Sequence, residues 1–169
     1  MELRDISLDD LPLYESLRCD PQMMAELGGP LPKEGLPEKL RRDIASVKAG
    51  KAWIFKVIPD EDSGRAAGHI CIWESSWRGE PIDEIGWMIL PPFQGRGLAT
   101  QAARAILEKA RSEKRWQVIH AFPSTTNAPS NAVCRKMGFS KIEECDLEWA
   151  GRMLHCSHWR LDLAEADPA

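Results

Sequence analysis

Glu84-Ile-Gly-Trp-Met-Ile-Leu-Pro-Pro-Phe-Gln-Gly-Arg-Gly-Leu-Ala-Thr-Gln-Ala-Ala103 is the stretch from which the rest of the chain is read. A buried-type strand comes first, then a loop braked by two prolines, then a glycine-rich turn that opens a helix. A backbone built in this way makes an anion cradle. Gly95 and Gly97 carry no Cβ, so the chain can take unusual dihedral angles there and bring several N–H groups to one ligand oxygen. The helix adds its unpaired N-terminal donors and the positive end of its dipole. A pyrophosphate suits such a cradle. A Walker A loop would require Gly-Lys-Ser/Thr, which occurs nowhere in the chain. A dinucleotide fingerprint would ask for glycine or alanine at position 100, where Thr100 stands.

With 169 residues, 43% of them hydrophobic, the chain suits one domain over residues 1–169, burying roughly 70% of its unfolded surface. The tail from Ala164 onward reads as frayed. A net charge of -4 and scattered lysines and arginines leave no electrostatic footprint for nucleic acid. No apolar run approaches the ~18 to 20 residues of a membrane span, and Met1-Glu-Leu-Arg-Asp lacks the apolar core of a signal peptide, so no membrane association and a cytoplasmic location are expected. Cys19, Cys71, Cys134, Cys145 and Cys156 are odd in number and contain no Cys-x-x-Cys pair, as expected of reduced thiols without a zinc site.

Along the chain, a short strand at Glu2 to Ile6 precedes a helix capped by Ser7 or Asp9 and running to about Cys19. Met23 to Leu27 forms a turn ending at Gly28-Gly29-Pro30, and a second helix spans Pro37 to Ala49. Ala52 to Ile58 and Ala66 to Glu74 read as a hairpin, with Ile82 to Leu90 as the third strand of an antiparallel set. After the cradle come a helix at Leu98 to Arg111, a strand at Trp116 to Phe122 reached by a parallel crossover, and a helix at Pro129 to Met137. Two last strands, Lys141 to Trp149 and Met153 to Leu163, turn at Ala150-Gly151.

Gln94-Gly-Arg-Gly97-Leu-Ala99 matches the Gln/Arg-x-x-Gly-x-Gly/Ala signature of the GNAT family of N-acetyltransferases. Downstream, Asn127-Ala-Pro-Ser130-Asn-Ala-Val133-Cys-Arg-Lys-Met137-Gly138-Phe139 resembles that family's second signature, in the variant of the branch that acetylates ribosomal-protein N-termini. The order of elements agrees over nearly the whole chain. The resemblance implies an α/β (α+β) fold: a mixed, mostly antiparallel sheet of about seven strands flanked by about four helices, with a central parallel crossover at the cofactor cleft. It also implies acetyl-CoA as cosubstrate. A bulge near Met88 and Ile89 would free the N–H of Ile89, and of Leu90, for the pantetheine. Gly95, Arg96, Gly97, Leu98, Ala99 and Thr100 would take the pyrophosphate while Gln94 braces the loop. Asn127 and Ser130 would face the pantetheine, or Asn127 would merely cap its helix.

Attack of an amine on the thioester needs a base, and Glu84 is the candidate, its alternative being a surface acid at a strand start. The family's proton donor is a tyrosine seven residues after the asparagine, where this chain has Cys134. Ser130 is the stronger substitute, because a cysteine on a helix is most often a small buried apolar residue. His155 and His158 lie three apart on a strand and therefore point to opposite faces, which argues against a shared metal ion. His69 and His120 read as packed or hydrogen-bonded. Pro21 to Pro37 and Trp73 to Glu84 would wall the acceptor, a small-molecule amine or a protein N-terminus, and the last strands or the sheet edge offer a homodimer contact. The alternative is a non-catalytic acyl-CoA-binding module that kept the cradle and lost the chemistry.

Overall fold

The computed structural model describes residues 1–61 and 64–164, so the frayed-tail expectation for residues 165–169 lies outside the described residues, as does part of the polar turn after Pro59. Seven strands form one sheet: β1 (Glu2–Asp5), β2 (Ala52–Ile58), β3 (Gly68–Trp77), β4 (Glu80–Ile89), β5 (Val118–Ala121), β6 (Ser140–Trp149) and β7 (Arg152–Asp162). Their spatial order is β1-β2-β3-β4-β5-β7-β6. Every neighbouring pair is antiparallel except β4 with β5. The expected fold class and crossover are therefore present.

Among the described residues four α-helices cover the sheet: α1 (Leu11–Arg18), α2 (Leu36–Lys48), α3 (Leu98–Glu113) and α4 (Ala128–Lys136). A turn of 3-10 helix precedes α1, and the Ser7 N–H donates to Asp10 Oδ2 at 2.7 Å, so the carboxylate that closes this start belongs to Asp10 rather than Asp9. Tyr14 and Leu40, from α1 and α2, are buried with Ile54 and Cys71 on one face. The other face holds Ile70, Ile72, Ile85 and Ile119 against Leu98, Ala102 and Ile106 of α3 and Val133 of α4. Ile70 and Ile72 expose no surface, and each contributes about 1.5–3 kcal/mol by leaving water.

One turn and one expected bulge differ from the sequence reading. β3 and β4 run on as a hairpin to Trp77 and Glu80, joined by Arg78 (φ 52°) and Gly79 (φ 83°). That pair of positive φ values is the type I′ geometry that matches strand twist. The bulge expected at Met88 and Ile89 is not seen as a register shift, since β3 and β4 stay paired without a break from Trp77↔Glu80 to Gly68↔Ile89. The irregularity takes another form. A Cβ built on Gly68 would lie 1.9 Å from the Met88 carbonyl oxygen, so the two backbones approach more closely there than any side chain permits. Gly68→Ala should cost about 3 kcal/mol or more, because backbone cannot retreat as a flexible side chain would. Urea denaturation with an unchanged midpoint would contradict this.

Candidate functional site

β4 and β5 share a single pairing, Glu84↔His120. Beyond it β4 continues to Ile89, whereas β5 ends at Ala121 and the chain turns away through residues 122–127. The sheet is thus split on the side toward α3. The Leu90 N–H donates to the Ala67 carbonyl at 2.8 Å, which fixes the phase of the ladder. Antiparallel partners alternate between bonded and non-bonded pairs, so Ile89, opposite Gly68, turns its N–H and C=O away from β3 and toward the split. Its carbonyl accepts from Gln94 Nε2 at 2.8 Å. Ile89 therefore keeps the expected donor and Leu90 does not: the Leu90 N–H is consumed within the sheet.

The split leads to the glycine turn. Pro91–Phe93 forms a 3-10 turn, Gly95 and Gly97 take φ of 74° and 75°, and Gly97 is the N-cap of α3. The first helical bond of α3 runs from the Gln101 N–H to the Gly97 carbonyl at 3.0 Å. The N–H groups of Leu98, Ala99 and Thr100 consequently have no acceptor in the helix. Among the described residues no backbone carbonyl outside the helices and strands accepts from the N–H of Gly95, Arg96 or Gly97 either. Six successive donors are thus left without a backbone acceptor at the positive end of a 16-residue helix. Gln94 braces the turn through its bond to Ile89, as expected. Arg96 lies over the Phe93 ring at 5.6 Å and 3.5 Å from the Glu61 carboxylate, exposed and able to swing toward an anion. These donors fit a pyrophosphate.

The second signature occupies the other lip. Asn127 caps α4, its Oδ1 accepting from the Ser130 N–H at 3.1 Å, so only its Nδ2 group remains to donate to a ligand. Ser130 is half-buried on the first turn. Cys134 is a correction: it exposes no surface, lies in the core with Val133, Met137 and Leu161, and burial pushes its thiol up to about 12. It cannot exchange a proton with the cleft. Sequence reasoning missed Asn131, which is buried and donates to the carbonyls of Ser124 and Asn127 at 2.9 Å each while accepting from Trp159 Nε1 at 2.9 Å. It ties the strand-to-helix loop to β7. An Asn inside a capping motif looks like surface, and only the fold reveals its three partners.

Glu84 sits where the sheet divides. It is half-buried, and burial raises its carboxyl from the ordinary 4.5 to about 7, partly offset by a hydrogen bond from Ser75. A glutamate tuned to neutrality is matched to accepting a proton at physiological pH. On the same face, Gly86 leaves room that a Cβ would take from the Trp73 ring, at 3.1 Å. In the segment expected to wall the acceptor the tryptophans pack: Trp73 over Gly86, and Trp77 against Phe122 at 5.1 Å. The segment between α1 and α2 is tied across this face, with Arg152 Nη1 donating to the Gly29 carbonyl at 2.5 Å and Thr126 Oγ1 to Glu26 at 2.6 Å. His155 contacts Asp146 at 2.8 Å on the exposed side, while His158 is buried beside His120, so the two part as the strand period requires. His69 is packed between Tyr14 and Arg18, neutralised by its burial.

Comparison with known proteins bears on the same features. A family profile described as "Acetyltransferase (GNAT) domain" matches residues 1–140. The uncharacterized N-acetyltransferase YnaD of Bacillus subtilis (strain 168) is 36% identical over 85 residues, which is 50% of this chain and 48% of that protein; the match spans about half the length of this curated relative. A spermidine N-acetyltransferase from Vibrio cholerae, solved with CoA and spermine, superposes with a TM-score of 0.78 at 16% identity, covering 96% of this chain and 95% of that one. An acetyl transferase from Salmonella typhimurium that modifies the N-terminal serine of ribosomal protein L7/L12 superposes with a TM-score of 0.77 at 17% identity, covering 95% and 93%. At those identities the structures establish likeness of fold, and no helix among the described residues is long and apolar enough to cross a membrane. With the profile match over most of its length, the split sheet and the glycine turn in their places, the chain belongs to the GNAT family of acetyltransferases.

Proposed function

We propose that the chain is an acetyl-CoA-dependent N-acetyltransferase acting on a primary amine, either of a small molecule or of a protein N-terminus, by direct attack on the thioester. The observation that carries this reading is Glu84, a carboxyl raised to about 7 at the point where β4 and β5 part. The two solved relatives named above act on spermidine and on a ribosomal-protein N-terminus, and both acceptors present a primary amine.

Acetyl-CoA, when bound, supplies the activated acyl group. The N–H groups of Gly95, Arg96, Gly97, Leu98, Ala99 and Thr100 would hold its pyrophosphate, and the Ile89 N–H with the Asn127 side-chain Nδ2 group its pantetheine amides. Glu84 takes the ammonium proton, directly or through one water, so that the nitrogen lone pair is free. The thiolate released departs tolerably unaided, since an ordinary thiol has a pKa of ~8.5, and Ser130 on the first turn of α4 is the remaining donor candidate. A second reading, a binding module without turnover, draws on one observation: the position of the family's tyrosine holds a buried, unreactive Cys134.

Release of free thiol from acetyl-CoA, assayed with polyamines, amino acids, aminoglycosides and N-terminal peptides, separates the two. Amine-dependent release is expected. Tight binding of CoA with no release from any amine would overturn the transferase reading in favour of the module. Ser130→Ala is expected to lower kcat about three- to tenfold, with KM for acetyl-CoA moving less, because its part is to assist a leaving group that can depart alone.

A further inference from the structure

A run of titratable side chains beside Glu84 has no part in the steps above. His120 Nδ1 lies 2.8 Å from His158 Nε2, and His158 Nδ1 lies 3.7 Å from Glu143 Oε1. Glu143 in turn is ion-paired with Arg78 at 3.0 Å. His158 is only 5% exposed, and among the described residues its Nδ1 has no hydrogen-bond partner, Glu143 being the carboxylate that approaches it. Its ring is held flat against Phe122, centroids 4.6 Å apart at 15°, with Trp77 at its edge. These groups come from β5, β7, β6 and the β3–β4 hairpin, and the row starts at the partner of Glu84 in the one parallel pairing.

The geometry of the partners assigns the hydrogens. Glu143 Oε1, beside its ion pair with Arg78, is the group that faces Nδ1 of His158, so the neutral His158 imidazole is assigned its hydrogen at Nδ1. His158 Nε2 is then a lone pair and must accept from His120 Nδ1–H. His120 is left with its Nε2 lone pair free, and its ring borders an open cleft of about 430 Å³ with Ile82, Asp83, Lys114, Arg115 and Val118.

We propose that His120, set by His158 and Glu143, is the proton outlet of the active site, an inference that rests on the amine-acetylation reading above. The proton that Glu84 takes from the ammonium passes, through a water, to Nε2 of His120, whose Nδ1–H stays bonded to Nε2 of His158. The imidazolium so formed gives its Nε2 proton to water in the open cleft. No electrons and no heavy atoms change hands, and both rings are left in their starting tautomers. The surroundings suit conduction rather than storage. Burial, His158 and Arg160 hold His120 down to about 4; burial and Arg78 hold His158 low against the pull of Glu143; and Cys145 and Cys156, the other titratable groups on this face, are kept protonated by burial. His120 does not trap the proton it receives.

The test uses the full-length protein with the best amine found by thiol release, comparing His120→Ala, His158→Phe and, as a control on the exposed side, His155→Gln. Phenylalanine preserves the stack on Phe122 and removes both ring nitrogens. The expected result is a ten- to hundredfold fall in kcat for the first two, with CoA binding unchanged. For His120→Ala, activity should rise with buffer concentration and recover at least fivefold with added imidazole. His155→Gln should match wild type. A His158→Phe enzyme within twofold of wild type, or a fall that neither buffer nor imidazole relieves, would overturn the outlet while leaving the transferase reading intact. Wild type that turns over no amine would overturn both. Nitrogen-15 NMR of the wild-type imidazoles gives a check independent of any variant: Nδ1–H on both rings is expected, and Nε2–H on His158 would refute the direction of the chain.

Discussion

Glu84→Gln lowers kcat by about a hundred- to a thousandfold and, at pH 8, makes the protein more stable. The two effects have one cause. Burial holds the Glu84 carboxyl at about 7, so the wild-type fold prefers the neutral acid and is penalised when the group ionises. Because the folded-state pKa lies above the unfolded one, the wild type loses stability as pH rises from about 4.5 to 7 and stays at the lower plateau beyond. Glutamine is neutral throughout and escapes that loss. The gain at pH 8 is of order 2–3 kcal/mol, reduced where water screens the half-buried carboxylate. The same titration appears in catalysis with the opposite sense: the wild-type kcat/KM should rise with pH through a limb near 7, since only the carboxylate accepts a proton, and the glutamine variant should lack that limb. Thermal denaturation and a pH–rate profile measure both. A variant that loses activity with no gain in stability at pH 8 would mean that Glu84 is an ordinary solvated acid.

The parts legible in the sequence were those written in local order. Gln94 to Ala99 specified its own turn, because two positive-φ glycines ahead of a helix start leave the backbone few alternatives. The strand and helix order followed from periodicity and breakers, and the boundaries erred where polar residues continued a strand: Glu74-Ser-Ser-Trp77 looks like a loop until Pro81 to Asp83 pair with it. The bracing bond of Gln94 also held, being five residues long. The misses were contacts that no local pattern encodes. Leu90 was counted as a free donor because its acceptor, Ala67, lies 23 positions earlier in the chain. His120 and His158 are 38 positions apart, and alternation along each strand says which face they share but not that β7 is inserted between β5 and β6 to bring them together. Cys134 was a candidate by position alone; its burial depends on how α4 lies on the sheet. The glycine turn is written in consecutive residues, whereas the meeting of His120 with His158 is made by strand order, which is why the first was readable and the second was not.

Gly97→Glu is expected to weaken CoA binding by at least a hundredfold while the fold stays intact, and a comparison with Gly97→Ala separates the reasons. Gly97 has φ of 75°, where an L-residue pays about 1–2 kcal/mol. The space itself is open: the nearest atom to an added Cβ would be Gln101 Nε2 at 3.7 Å, an ordinary contact at the end of a flexible side chain. Alanine therefore brings backbone strain without collision, and its effect should stay near tenfold, from a cradle whose N–H groups no longer converge as well. Glutamate adds a carboxylate at the mouth of six unpaired donors. It competes for the dipole end of α3 and repels a pyrophosphate carrying the same sign, an interaction strong where both charges share a partly desolvated turn. Calorimetric titration with CoA gives the affinities, and circular dichroism shows whether α3 survives. If alanine and glutamate weaken binding equally, the loss is conformational and the turn is not the anion site; if glutamate binds CoA as wild type does, the phosphates lie elsewhere and the assignment of residues 95–100 fails.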